Sequence, residues 1–150
     1  MSRRKLPPQT PWTNSPDDVE AAFYEALGSA NLEALMALWS EDDDICCIHP
    51  GGQRLDGNAA IRDSFAQLLA NGGLQINAEV QHRWHSVTSA VHSVVERLQV
   101  EVDGKTQWGF VLATNVFVQT AGGWRLVLHH ASPGAPQTAL DTIVPGDVLH

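Results

Sequence analysis

A chain of 150 residues with 43% hydrophobic side chains is long enough for one domain around one core. Its formal charge is −8, and three of its nine basic residues (Arg3, Arg4, Lys5) crowd the N-terminal end, so the rest is more acidic still and ill-suited to nucleic acid or an anionic membrane. No run is apolar and long enough to span a bilayer, and the only cysteines, Cys46 and Cys47, are adjacent and form no ordinary disulfide with each other; with no apolar leader after Met1, a reduced cytoplasmic protein is expected.

Residues 1–14 are Pro-rich and aperiodic, which predicts a flexible arm that Trp12 alone would tack to the body. Ser15-Pro16-Asp17-Asp18 then combines a hydroxyl cap, proline at the first helical position and acids in the first turn. Val19, Ala22, Phe23, Ala26 and Leu27 continue as one apolar stripe, so a helix starts here. Gly28 and Asn31 interrupt it, and Leu32, Leu35, Met36 and Trp39 predict a second, shorter helix. Asp42, Asp43 and Asp44 form an acidic turn without the alternate oxygen ligands of a calcium loop. Ile45 to His49 reads as a strand stopped by Pro50-Gly51-Gly52. Gly57-Asn58 opens a third helix with Ile61, Phe65, Leu68 and Leu69 on one face, stopped by Asn71-Gly72-Gly73. Neither glycine pair has the layout of a phosphate loop.

From Leu74 the period changes to two. Leu74, Ile76, Ala78, Val80, His82 and Trp84 are expected on a covered face, with Gln75, Asn77, Glu79, Gln81, Arg83 and His85 in water. In the next strand Val94, Glu96, Leu98, Val100 and Val102 share a face, and Asp103-Gly104 marks a tight hairpin turn. The following strand alternates Trp108, Phe110, Leu112, Thr114, Val116 and Val118 against Gly109, Val111, Ala113, Asn115 and Phe117, apolar on both sides and therefore central. After Ala121-Gly122-Gly123, the last strand sets Trp124, Leu126, Leu128 and His130 against Arg125, Val127, His129 and Ala131, so His129 and His130 diverge. Residues 137–150 read as a tail. Helices followed by a four-stranded meander define an α+β domain over residues 15–136.

Thr114-Asn115-Val116-Phe117, a short turn, and Trp124 to Pro133 (WRLVLHHASP) resemble the closing strands of nuclear transport factor 2-like domains, most nearly the SnoaL-like branch related to ketosteroid isomerase. The same hairpin is similar to the end of the calcium/calmodulin-dependent kinase II association domain. The resemblance implies a cone-shaped, curved antiparallel sheet wrapped around three N-terminal helices, with a cavity at its open end. It places His49 near the cavity mouth and turns Asn115 and His129 into the cavity. It also implies a homodimer through the outer face of the C-terminal strands, where Trp108 or Phe110, Trp124, Leu126 and Leu128 would supply apolar area.

Glu96 is the most informative residue, because a carboxylate in an aliphatic stripe is costly unless paired. It is either a structural partner of Arg62, Arg83 or a histidine, or a cavity carboxylate with a raised pKa suited to proton transfer. The candidate catalytic set is therefore Glu96, His49 and His129, with Trp39, Phe65, His82, Trp84 and Asn115 as ligand-binding wall. For Trp39, His82 and Trp84 the alternative is plain core packing. A metal site from His49, His82, His129 and Glu96 lacks a ligand-spacing signature, and no metal or cofactor is expected. Two functions remain: cofactor-independent acid–base chemistry of isomerase, cyclase or dehydratase type on an apolar carbonyl compound, or a non-catalytic ligand-binding or oligomerisation module.

Overall fold

The computed structural model of the chain describes residues 13–134. The expected C-terminal tail lies outside that range, as does the expected arm apart from Thr13 and Asn14. In chain order the elements are α1 (Pro16–Gly28), α2 (Leu32–Ala37), β1 (Cys46–Ile48), β2 (Arg54–Asp56), α3 (Asn58–Leu68), β3 (Ile76–His85), β4 (Ser89–Val102), β5 (Lys105–Thr120) and β6 (Gly123–Pro133). Three helices lie against one curved, unclosed sheet of order β2-β1-β6-β5-β4-β3, which is the expected α+β architecture.

Local chemistry sets the helix ends. The Ser15 hydroxyl accepts the Asp18 N–H (3.0 Å) and starts α1, and Asn31 does the same for Ala34 in α2 (3.0 Å). Gly57 has no side chain with which to cap α3. The Asp43 carboxylate from the acidic turn reaches across instead and takes the Asn58 N–H at 2.7 Å. In α3, Ile61 and Phe65 face the core, whereas Leu68, expected beside them, is 44% exposed.

Strands β3 to β6 form the expected meander, and Asp103 and Gly104 both adopt the positive φ of a two-residue hairpin turn. The pairing of β1 is a difference from the expected purely antiparallel sheet: it runs parallel to β6, with Cys47 beside His129. β2, too short to show a period, pairs antiparallel with β1.

Two β-bulges correct the expected faces, because an extra residue reverses the alternation beyond it. In β3 the register shifts between Val80 and His82, so Arg83 pairs with His92 on the inner face and His82 and Trp84 turn outward. Both are exposed, Trp84 by 54%, and they lean on each other at 4.1 Å. The covered position expected for them is overturned. In β6 the shift falls opposite Val116/Phe117. Trp124 and Leu126 therefore enter the core and leave Leu128 and His130 outward.

The core joins Val19, Phe23 and Leu27 of α1 to Leu35, Trp39, Ile61, Phe65, Phe117 and Leu126, all almost fully buried. Each large side chain withdrawn from water there contributes about 1.5–3 kcal/mol. One joint is set by backbone alone: a Cβ on Gly73 would lie 2.0 Å from the Gly28 carbonyl oxygen, so only glycine fits. Beside it, the Leu74 N–H donates to the Leu27 carbonyl (2.9 Å) and the Gln75 amide to that of Gly28 (2.8 Å). These bonds clamp the entry of β3 to the end of α1.

Candidate functional site

The face of α1 that meets β4 and β5 is polar. Glu20 and Tyr24 stand one turn apart, so both side chains point the same way. Their exposures are only 5% and 9%. A buried carboxylate needs donors, and Glu20 has two: His92 Nδ1 at 2.9 Å from Oε1 and Asn115 Nδ2 at 2.9 Å from Oε2. The same Asn115 nitrogen donates to the Tyr24 hydroxyl at 3.2 Å, and that hydroxyl donates to Glu96 Oε2 at 2.7 Å. With its nitrogen committed to a carboxylate, the Asn115 amide presents its oxygen to His129 Nδ1 at 2.6 Å, so Nδ1 carries the ring proton. His129 Nε2 lies 3.9 Å from Glu96 Oε2. At the other end His92 Nε2 is 3.8 Å from Asp17, which accepts from Arg83 at 2.8 Å.

One continuous chain of polar groups thus runs from Arg83 and Asp17 near solvent, through His92, Glu20, Asn115 and Tyr24, to Glu96 and His129 in the interior. Burial raises the Glu96 carboxyl to about 7; the Tyr24 hydrogen bond pulls it down and the nearby Glu20 charge pushes it further up. The Tyr24 hydroxyl is raised well above its ordinary value, first by burial and then by Glu96. Burial, assisted by His49 and His130, lowers His129 to about 3, so its ring is neutral near pH 7. At that pH Glu96 is therefore close to half-protonated, while His129 turns an unprotonated nitrogen towards it.

Beside this chain, between α1 and the β3–β4 pair, lies an open cavity of about 1050 Å³. Asp17, Glu20, Ala21 and Tyr24 form its helix wall, while Ile76, Ala78, Val80 and Leu98 form an apolar sheet wall. Arg83 lies among the residues lining it, as do Gln99 and Trp108. Tyr24 and Glu20 line the cavity, and Glu96, Asn115 and His129 stand behind them.

The residues singled out from sequence separate into three groups. Glu96, Asn115 and His129 meet in the buried network. His49 is half-buried at the end of β1, 2.9 Å from the Ser64 hydroxyl and edge-on to Phe65 at 5.0 Å, with Phe65 and Trp39 in the apolar core. His82 and Trp84 lie outside, so the drawn metal set of His49, His82, His129 and Glu96 does not converge. Asp17, Glu20 and His92 do present ligand atoms within 4.8 Å of one another. Glu20 and His92 already bond each other there, and the Arg83 cation on Asp17 opposes a metal ion.

Glu20, Tyr24 and His92 escaped sequence reasoning. His92 carried a usable signal: it stands four residues before Glu96 in one strand, hence on the same face. Glu20 and Tyr24 flank the apolar stripe of α1 and look like its solvent border.

The SnoaL-like domain family matches residues 17–136. The chain belongs to this family. An F-box protein from Arabidopsis thaliana, SKIP8, is 29% identical over 114 residues, 76% of this chain; the chain spans about half (47%) of that protein's length. Among solved structures, one from Thiobacillus denitrificans, described as a calcium/calmodulin-dependent protein kinase type II association domain, superposes with a TM-score of 0.74 at 34% identity, covering 84% of this chain and 100% of that one. Another, from Streptomyces avermitilis and described as a dehydratase of the nuclear transport factor 2-like family, gives a TM-score of 0.68 at 30% identity over 77% of this SnoaL-like chain and 91% of its own.

Proposed function

We propose that this SnoaL-like domain performs cofactor-independent proton transfer on an apolar carbonyl compound held between α1 and β3–β4. The observation that carries the reading is the 2.7 Å bond from Tyr24, on the cavity wall, to Glu96, whose pKa of about 7 lets it hold or release a proton at neutral pH. Tyr24 meets the substrate oxygen, Glu96 stores the proton behind it, and Asn115 and His129 orient the pair. Similarity to a protein described as a dehydratase supports this chemistry. The test is deuterium incorporation at the α-carbon of cyclic ketones in heavy water, followed by NMR. Exchange by the wild type that Glu96→Gln and Tyr24→Phe each lower at least a hundredfold supports the reading. No exchange across the panel, or exchange indifferent to both variants, overturns it.

A second reading, a module for self-association, draws on the similarity to an association domain and on the outer sheet face, where Leu112 is 42% exposed. We propose a homodimer through this face, with Leu128 rather than the buried Trp124 and Leu126 contributing to it. Leu128→Asp would place an unpaired charge there. Sedimentation should show a dimer that this variant dissociates, and a monomeric wild type at micromolar concentration would remove the proposal. The two free cysteines fit a reducing, cytoplasmic setting for either reading, and no helix among the described residues is long and apolar enough to cross a membrane.

A further inference from the structure

Beyond Glu96 the same face of β4 stays apolar. Leu98 lines the cavity, and Val100 and Val102 carry that face on into water, 37% and 43% exposed. The Leu98 and Val100 side chains both come within 3.7 Å of where a Cβ on Gly109 would stand, so they form one surface over that glycine of β5. The pairing of β3 with β4 starts at Ile76 and Leu98, and that of β6 with β5 ends at Pro133 and Val111. Residues 99–109 therefore project as a hairpin with no further strand beside them among the described residues. An apolar face that continues a cavity wall out into solvent is a surface made to be covered.

The chain supplies a cover at that point. The Gly134 N–H donates to the Phe110 carbonyl at 2.7 Å, so residues 135–150 start from the base of this hairpin. In the same register Pro136 would come opposite Trp108 with no N–H to donate, which stops the ladder there. Residues 140–149 set Leu140, Ile143, Val144, Val148 and Leu149 against only two charges, Asp141 and Asp147, a composition that favours burial. Residues 135–139 reach about 17 Å when extended, more than the roughly 10 Å across two strands. Residues 1–12 are the poorer candidate. They carry Arg3, Arg4 and Lys5, and they enter at the far end of β5, where Thr13 abuts Gly123. We propose that Leu140, Ile143 and Val144 fold back onto Leu98, Val100 and Val102 and roof the cavity between α1 and β3–β4. Ligand then enters and leaves when this segment lifts. The roof shields the wall of Ile76, Ala78, Val80 and Leu98 from water and retains an apolar ligand against it. It does not depend on the acid–base reading, since a cavity that only binds would be closed in the same way.

The test uses the 150-residue chain with isotope-labelled isoleucine and valine methyl groups. Nuclear Overhauser contacts from Ile143 to Val100 or Val102 are expected within one chain. A second sample, mixing labelled with unlabelled chains, separates these from contacts between copies. Ile143→Asp changes neither the core nor the Glu96–Tyr24 pair, so its melting temperature should stay close to that of wild type. It should abolish the contacts and raise binding of the dye anilinonaphthalene sulfonate severalfold, because the apolar face is uncovered. Contacts found only between differently labelled chains put a second copy on this face and overturn the proposal. So does the lack of any contact from Ile143 to the hairpin, or dye binding indifferent to Ile143→Asp.

Discussion

One helix serves two interiors that obey different rules. Val19, Phe23 and Leu27 of α1 enter an apolar core in which any well-packed hydrocarbon suffices, whereas Glu20 and Tyr24, on its neighbouring face, enter a network in which each group has a named partner. Damage to the first is graded by the volume removed. In the second, losing one partner strands the others in low dielectric. A site that handles protons gains from the second kind of interior, since a single desolvated carboxyl there titrates near 7.

The sharpest test of the apolar side is Phe23→Ala. Phe23 is 1% exposed and packs on Tyr24, Phe65 and His129, so chemical denaturation should show a loss of about 3–5 kcal/mol. A loss near 1 kcal/mol would mean that the core collapses to refill the space. Asn115→Leu keeps the branched shape and removes the junction, leaving Glu20 with one donor and His129 Nδ1 with none. It should cost about 2–3 kcal/mol by the same measurement, although it adds apolar surface. If Asn115→Leu is neutral, the network is not all-or-none and the contrast with the core fails.

Glu96→Gln addresses the pH response. The folded Glu96 pKa lies above its ordinary 4.5, so this carboxyl holds its proton more tightly when folded; its stabilisation is full below pH 4.5 and is lost as pH rises to about 7. His129 acts oppositely: with its folded pKa depressed from 6.5 to about 3, stability falls as pH drops through that interval. Between pH 4.5 and 6.5 the two slopes oppose each other and nearly cancel. Removing the Glu96 titration should expose the histidine alone, so the variant's stability climbs with pH by up to about 1.4 kcal/mol per unit. Urea midpoints across this range give the answer, and a variant as flat as wild type would contradict the interior placement of His129. The smallest effect is expected outside, where Trp84→Ser should stay within about 0.5 kcal/mol despite removing an indole.

Where register runs unbroken, alternation is a safe guide. Along β4 it placed Glu96 on the covered face, and the structure buries it, as it buries Asn115 of β5, which the family resemblance turned inward. Past a bulge it fails, as at His82, Trp84, Trp124 and Leu126. Both flanks of such a point remain plausible strand, and the inserted residue is fixed by the curvature needed to wrap the helices, a property of the assembled sheet. The polar partners of Glu96 were hidden for a related reason. A helix stripe shows which side is apolar, but it does not reveal that the adjoining side is also covered, as it is at Glu20 and Tyr24. The third helix's cap came from Asp43, fifteen positions away and beyond any local motif.

The glycine joint between α1 and β3 has a consequence for how the cavity can be reshaped. Because Gly73 seats backbone directly on backbone at Gly28, that end of the cavity is spaced by main-chain contact, which the Gln75 amide reinforces at the Gly28 carbonyl. Substitutions at Ile76, Ala78 or Val80 can then resculpt the opposite wall without shifting the helix that carries Glu20 and Tyr24. On the proposed acid–base reading, ligand preference and proton chemistry become separately adjustable, so the ligand can change while Glu96 and Tyr24 stay in place.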